Sequence, residues 1–151
     1  CIMPGADDKG HYVTNLRNLA KKYNVLGKMV FLPFLDDLPA AYMLADVVVA
    51  PSLKPEPFGR VIIEAQAMGR PVISFDHGGA SESIKNNITG LLVEPKNEKE
   101  LGNAIEKLIN MTEIQRNNMA NSSRKHIVNK FSLDKMNRET IKLYSEVLKI
   151  K

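Results

Sequence analysis

Two carboxylates eight positions apart stand out in "PSLKPEPFGRVIIEAQAMGRPVISFDHGG", residues 51–79, and the first of them, Glu56, sits between Pro55 and Pro57. A residue before proline is pushed toward extended backbone angles, and Pro55 stiffens the approach by fixing its own φ. Glu56 is therefore held outside the helix that "GRVIIEAQAMG" predicts, a helix closed by Gly69. Gly59 allows another molecule to come close to the backbone, and Glu64 lies five residues beyond it, about 7.5 Å along a helix axis. One carboxylate thus stands at the lip of a helix N-terminus and the other about a turn and a half inside. A helix N-terminus presents unpaired N–H groups and partial positive charge, which suits phosphate. Carboxylates repel phosphate but accept hydrogen bonds from hydroxyls. The combination suits a diphosphate flanked by sugars, as in a nucleotide sugar. The plainer alternative makes Glu56 a helix cap and Glu64 a solvated helix residue.

The elements that must position these groups follow from the apolar pattern. "KMVFLPF" (28–34), "DVVVAPS" (46–52) and "PVISF" (71–75) are continuous and rich in β-branched or aromatic residues, as strands covered on both faces are. "TGLLVEP" (89–95) reads as a further strand, and Cys1–Pro4 as the end of one more. Helical spacing appears in "HYVTNLRNLAKKYNV" and in "DDLPAAYMLA", where Asp36 and Asp37 serve as caps and Pro39 comes early. Alternation of strand and helix predicts an α/β domain with a doubly wound, Rossmann-like parallel sheet. The helix carrying Glu64 then opens at the carboxyl edge of that sheet, where such folds bind ligands. From Asn97 onward the pattern is helical to the end. The last stretch carries Met136, Ile141, Leu143, Tyr144, Val147 and Leu148, so it needs a surface to pack on. The expected organisation is a single domain over residues 1–151, with an α/β core at 1–95 and C-terminal helices at 96–151.

Composition narrows the class. Apolar residues at 44% and charged residues at 25% describe a soluble globular chain, without a membrane-spanning run. The single cysteine, Cys1, rules out an internal disulfide and any cysteine-built metal site, and fits a reducing cytoplasm. The absence of tryptophan argues against a carbohydrate platform of stacked rings. Net charge is +4, and the surplus lies in residues 112–151, with nine Lys/Arg against four Asp/Glu. Such a tail could meet an anionic membrane surface or nucleic acid, or be a solvated helix face. Without a groove-entering motif or aromatic platform, nucleic acid is not expected as a partner.

Other polar residues carry weaker signals. His11 and His126 read as surface residues, whereas His77 in "FDHGG" follows a strand at the same sheet edge and could face the ligand. Asp76 and His77 form no metal pattern, and Asp36-Asp37 are better explained as helix caps than as a metal-binding pair. Gly78-Gly79 could form an anion-friendly turn, and Ser81 and Glu82 read as helix-start residues. Ser81 has no paired base, which disfavours hydrolase chemistry.

"PEPFGRVIIEAQAMGRPVI" resembles the E-x7-E region of retaining GT-B glycosyltransferases of glycosyltransferase family 4, the group-1 family. "VFLPFLDDLPAAYMLADVVVAPS" is similar to that family's F-x-G-F-x-x-D-L-P…ADV-x-x-x-PS stretch, and "HGGASESIKNNITGLLVEP" to its G-G-x-x-E…G-x-x-G-L-L-V segment. The resemblance covers nearly the whole chain, in order. It implies that Glu56, as the catalytic-site carboxylate, hydrogen-bonds the donor sugar. Backbone N–H groups around Phe58, Gly59, Arg60 and Val61 would meet the sugar and distal phosphate, and Glu64 the ribose hydroxyls. Leu35 would lie at the base, although Pro33 replaces the family's usual glycine there.

The resemblance also implies a UDP-, GDP- or ADP-sugar donor, neither metal nor resident cofactor, and transfer with retention to a glycan or lipid-linked acceptor. The strings look closest to bacterial hexosyltransferases, mannosyltransferases among them, of lipopolysaccharide core and cell-envelope synthesis. A location in the cytoplasm or peripheral at the inner membrane face goes with that assignment. The family's Arg…Lys pair that neutralises the diphosphate has no counterpart. "GADDKG" (5–10), with Lys9 and Gly10, matches a later region by its order relative to the following helix. The expectation is therefore an N-terminally truncated donor domain that lacks its acceptor domain and is inactive alone. The alternative is a non-catalytic nucleotide-sugar-binding fragment or split-enzyme partner. An epimerase is disfavoured by E-x7-E, and a phosphorylase by the lack of a pyridoxal-phosphate lysine context.

Overall fold

The computed structural model describes residues 1–5 and 10–148, so Lys9 and the final residues of the expected last helix lie outside the described residues. The chain divides into two compact units, Cys1–Ala41 and Tyr42–Lys151, with the boundary inside a helix.

In the first unit β1 (Ile2–Met3) pairs in parallel with β2 (Val30–Phe31), Ile2 opposite Val30. Helix α1 (His11–Lys22) connects them, burying Val13 and Ala20 and ending on basic residues Lys21 and Lys22 that suit the negative end of its dipole. The expected strand at 28–34 is only two residues long, and Ile2 and Val30 are exposed rather than covered. Helix α2 (Leu38–Leu44) starts as expected, with Asp37 Oδ1 accepting the Ala40 N–H at 3.0 Å. Asp37 is thus the cap.

The second unit holds a three-stranded parallel sheet, β3 (Val48–Ala50), β4 (Val72–Phe75) and β5 (Leu91–Val93), in that spatial order. The register sets Val48 against Val72 and Ile73 against Leu91. All four residues of β4 are buried, so both faces of the central strand are covered. On one face Ile73, Phe75, Leu91 and Val93 pack with Ala104 and Leu108 of α5 (Glu98–Ile109) and Met119 of α6 (Glu113–Phe131). Alternate side chains of a strand point to opposite faces. The other face meets α3 (Arg60–Ala67), whose Ile62, Ala65 and Gln66 are buried. Helices on both faces of a parallel sheet make the expected doubly wound α/β architecture.

Helix α6 runs unbroken through "TEIQRNNMANSSRKHIVNK", a stretch whose scattered apolar residues mark no clear stripe. Beside the buried Met119 and Ile127, polar contacts fix it. Thr112 and Gln115 form a reciprocal capping box at its start. Arg116 donates to the Asp46 carbonyl at 2.9 Å and to the Leu108 and Ile109 carbonyls at the end of α5. Ser123 Oγ reaches the Thr89 carbonyl at 2.8 Å. Helix α7 (Leu133–Leu148) packs against α6 and buries none of its described residues, leaving Leu133, Met136, Ile141, Tyr144 and Val147 exposed. No described helix is long and apolar enough to cross a membrane.

Candidate functional site

Parallel strands deliver their loops to one edge, and in the second unit that edge carries the segment 51–59 after β3 and the turn 76–79 after β4. Glu56 stays outside α3, as its proline bracket requires, and is exposed. It does not cap the helix. Ser52 Oγ donates to its carboxylate, and the N-cap position belongs to Gly59. Gly59 takes φ +74°, a left-handed angle that favours glycine, and a Cβ there would meet Ile62 Cδ1 at 3.0 Å. No side chain caps α3, and among the described residues the Gly59, Arg60 and Val61 N–H groups find no internal acceptor. These donors are available to a ligand.

Glu64 is far from a plain solvated residue. Tyr42 Oη donates to Glu64 Oε2 at 2.9 Å, while Arg60 Nε donates to Oε1 at 3.2 Å and its Nη2 lies 3.1 Å away. Burial, and then the hydrogen bond to Glu64, push the Tyr42 phenol up to about 12. The carboxylate is thereby fixed in place, and Oε2 keeps a further acceptor site. Sequence reasoning missed Tyr42. It lies 22 residues from Glu64, so no local pattern could show the pairing.

The turn after β4 supports the loop bearing Glu56. Gly79 N–H donates to the Glu56 carbonyl at 2.8 Å. A Cβ at Gly78 would fall 2.5 Å from that carbonyl oxygen, and one at Gly79 would fall 2.7 Å from Phe58 Cα. Only glycines let the two segments approach so closely, which gives this pair a packing role. Ser81 Oγ donates to Asp76 at 2.8 Å and begins the short helix α4 (Ala80–Ser83), as expected of a helix-start residue. On the outer side the half-exposed Phe58 ring meets Phe131 of α6 edge-on, with centroids 5.8 Å apart. His126 stacks edge-on against the same Phe131 at 5.9 Å, and burial, then Lys85 and Lys130, hold its imidazole below the ordinary range.

These segments enclose a small pocket lined by Ser52, Glu56, Gly59, Ile62, Ser74 and His77. Of the expected site residues, Glu56, Phe58, Gly59, Arg60, Val61 and Glu64 share one loop and the helix it opens. Arg60 and Val61 are exposed. Leu35 belongs to the first unit, half-buried between β2 and α2, where the neighbouring Pro33 carbonyl accepts the Gly5 N–H at 3.2 Å.

A parallel α/β sheet with a small pocket and an open helix N-terminus at its carboxyl edge defines a domain of the Rossmann-like class. The chain belongs to the glycosyl transferases group 1 family, whose model matches residues 1–126. It is 35% identical over 145 residues to an uncharacterized glycosyltransferase of Methanocaldococcus jannaschii, covering 95% of this chain and 36% of that protein. Its fold matches a glycosyltransferase of Rickettsia africae at TM-score 0.92 and 33% identity, over 100% of this chain and 40% of that one. It also matches Anabaena HepE, solved in complex with UDP-glucose, at TM-score 0.87 and 28% identity, over 96% of this chain and 40% of that one. The chain thus spans well under half the length of these relatives.

Proposed function

We propose that the chain, taken as one domain, binds the nucleotide-sugar donor of a retaining glycosyltransferase. The observation that carries this reading is the α3 N-terminus. Its amides are unsatisfied, Glu56 stands on the loop before it, and Glu64 is anchored one and a half turns inside. The diphosphate lies against the Gly59–Val61 amides, where the dipole and N–H groups stabilise the charge of the departing nucleoside diphosphate. Glu56 accepts hydrogen bonds from the sugar hydroxyls, and Phe58 borders the sugar. Glu64 accepts from the ribose hydroxyls, its oxygens oriented by Tyr42 and Arg60. The acceptor hydroxyl attacks the face of the anomeric carbon that the leaving group vacates, which retains the configuration.

The donor is a UDP-, GDP- or ADP-hexose, mannose among the candidates, with no resident cofactor. The acceptor is a glycan or lipid-linked sugar of the cell envelope, with lipopolysaccharide synthesis as the expected setting. The HepE complex with UDP-glucose supports the donor class. The basic C-terminal segment supports peripheral contact with the inner membrane face.

Calorimetric titration with UDP, GDP and ADP tests the core of the proposal. One of the three binds, and Glu64→Ala weakens it about tenfold, the value of one or two hydrogen bonds to a charged group. Glu56→Ala leaves that affinity in place and removes the gain that the attached sugar gives. Failure of all three nucleotides to bind refutes the reading.

A further inference from the structure

His77 is a polar side chain of the pocket that the reading above does not use. Both ring nitrogens, Nδ1 and Nε2, are buried and have no hydrogen-bond partner among the described residues. The ring is tilted against Phe75 with centroids 6.2 Å apart, and the backbone is pinned by the His77 N–H donating to the Phe75 carbonyl at 2.9 Å. Packing alone does not account for an imidazole in this condition. A histidine serving only as filler normally spends its N–H on a carbonyl, and each buried polar atom left unpaired is costly.

The chemistry of the other lining residues shows what the ring is for. Ser74 Oγ spends its proton on the Ala50 carbonyl at 3.0 Å, and Ser52 Oγ spends its own on Glu56. An ionised Glu56 only accepts. A sugar hydroxyl bound by Glu56 donates its O–H to the carboxylate, and its oxygen is left to accept from another donor. Among the polar side chains that line the pocket, His77 is the one whose donor is unspent. One hydroxyl that donates to Glu56 and accepts the ring N–H satisfies both side chains.

We propose that His77 is a donor-sugar contact and specificity determinant, sharing with Glu56 one hydroxyl of the hexose. The proposal rests on the nucleotide-sugar reading and deepens it, by assigning a second side chain to the sugar half of the donor. It also sets a requirement on the donor, because a deoxy sugar lacking that hydroxyl leaves His77 unpaired and is rejected.

The full 151-residue chain is titrated with UDP, UDP-glucose, GDP and GDP-mannose, as wild type, His77→Ala and His77→Gln. For the pair that binds, wild type favours the sugar nucleotide over the bare nucleotide. His77→Ala lowers the sugar-nucleotide affinity about tenfold and changes the nucleoside diphosphate affinity less than about twofold. His77→Gln, which keeps a donor and an acceptor, recovers most of the loss. The imidazole 15N resonances of His77 move on addition of the sugar nucleotide and hardly move with the nucleoside diphosphate. Equal weakening of both ligands by His77→Ala would assign the ring to the phosphates or to structure, and overturns the proposal. So does an unchanged sugar-nucleotide affinity, or a wild type that gains nothing from the sugar; in both cases nucleotide binding still stands. A wild type that binds none of the four overturns the functional reading along with it.

Discussion

Substituting Gly79 by alanine separates the position of the Glu56 loop from the chemistry of its side chains. Gly79 has φ −65° and ψ −15°, ordinary helical angles, so alanine brings no backbone strain. The effect is steric. The added Cβ would sit 2.7 Å from Phe58 Cα, from the Phe58 carbonyl oxygen and from the Pro57 carbonyl oxygen. Unstrained contacts of this kind begin near 3.4 Å, so the loop must retreat by about 0.7 Å. The atoms in the way are backbone, and no rotamer change relieves them. The same retreat stretches the hydrogen bond from Gly79 N–H to the Glu56 carbonyl, now 2.8 Å, to the edge of bonding range. Overpacking costs about 1–3 kcal/mol and the lost hydrogen bond about 1 kcal/mol. Residues 53–58 are exposed and can yield, which places the net cost near the lower end, about 1–2 kcal/mol. At a typical urea m-value of about 1.5 kcal/mol/M the unfolding midpoint falls by roughly 1 M. Glu56 is displaced along with its carbonyl, so calorimetry shows affinity for UDP-glucose or GDP-mannose falling about tenfold or more. Circular dichroism confirms that the fold persists. A variant with the stability loss but wild-type affinity refutes the argument that this glycine positions the sugar carboxylate. An unchanged midpoint refutes the close approach itself.

Gly102 provides the opposite case: it lies exposed inside α5 with nothing within 4 Å of its would-be Cβ, so Gly102→Ala gains about 0.5–1 kcal/mol in urea unfolding. A loss there would contradict the open surface around it. Tyr42 predicts a pH dependence. Its folded-state value of about 12 exceeds the ordinary 10, so the native state holds this proton more tightly than the unfolded chain. Its contribution to stability is complete below pH 10 and is lost as the pH rises from 10 toward 12. Tyr42→Phe costs about 0.5–1.5 kcal/mol at neutral pH and flattens the fall in thermal stability over that alkaline window. A variant curve parallel to wild type would show that the phenol does not titrate as its contacts require.

Much of the candidate site is local and so was legible along the chain. The proline on either side of Glu56, the left-handed glycine at 59 and the helix that carries Glu64 depend on backbone preferences of neighbouring residues. The same holds for the Asp37 cap. The strands β3, β4 and β5 announced themselves because a buried parallel strand must be continuously apolar. Strand β2 is shorter than the apolar run "KMVFLPF" because apolarity marks burial, whereas a ladder needs regular pairing, which here holds only for Val30 and Phe31.

Sequence by itself determined the alternating α/β order and the placement of two glutamates at a helix mouth, since both arise from short-range sterics and periodic burial. Tertiary structure alone decided the long-range contacts of each glutamate. Tyr42 reaches Glu64 across 22 positions, and Gly79 supports the Glu56 carbonyl from the next strand's turn. Arg116 joins α6 to Asp46 across 70 positions. His77 became more than one histidine near a sheet edge only when folding stripped both of its nitrogens of partners beside Glu56. Such pairings depend on how strands and helices pack at distances no sequence window spans, and on which hydrogen bonds remain unmade once the packing is complete.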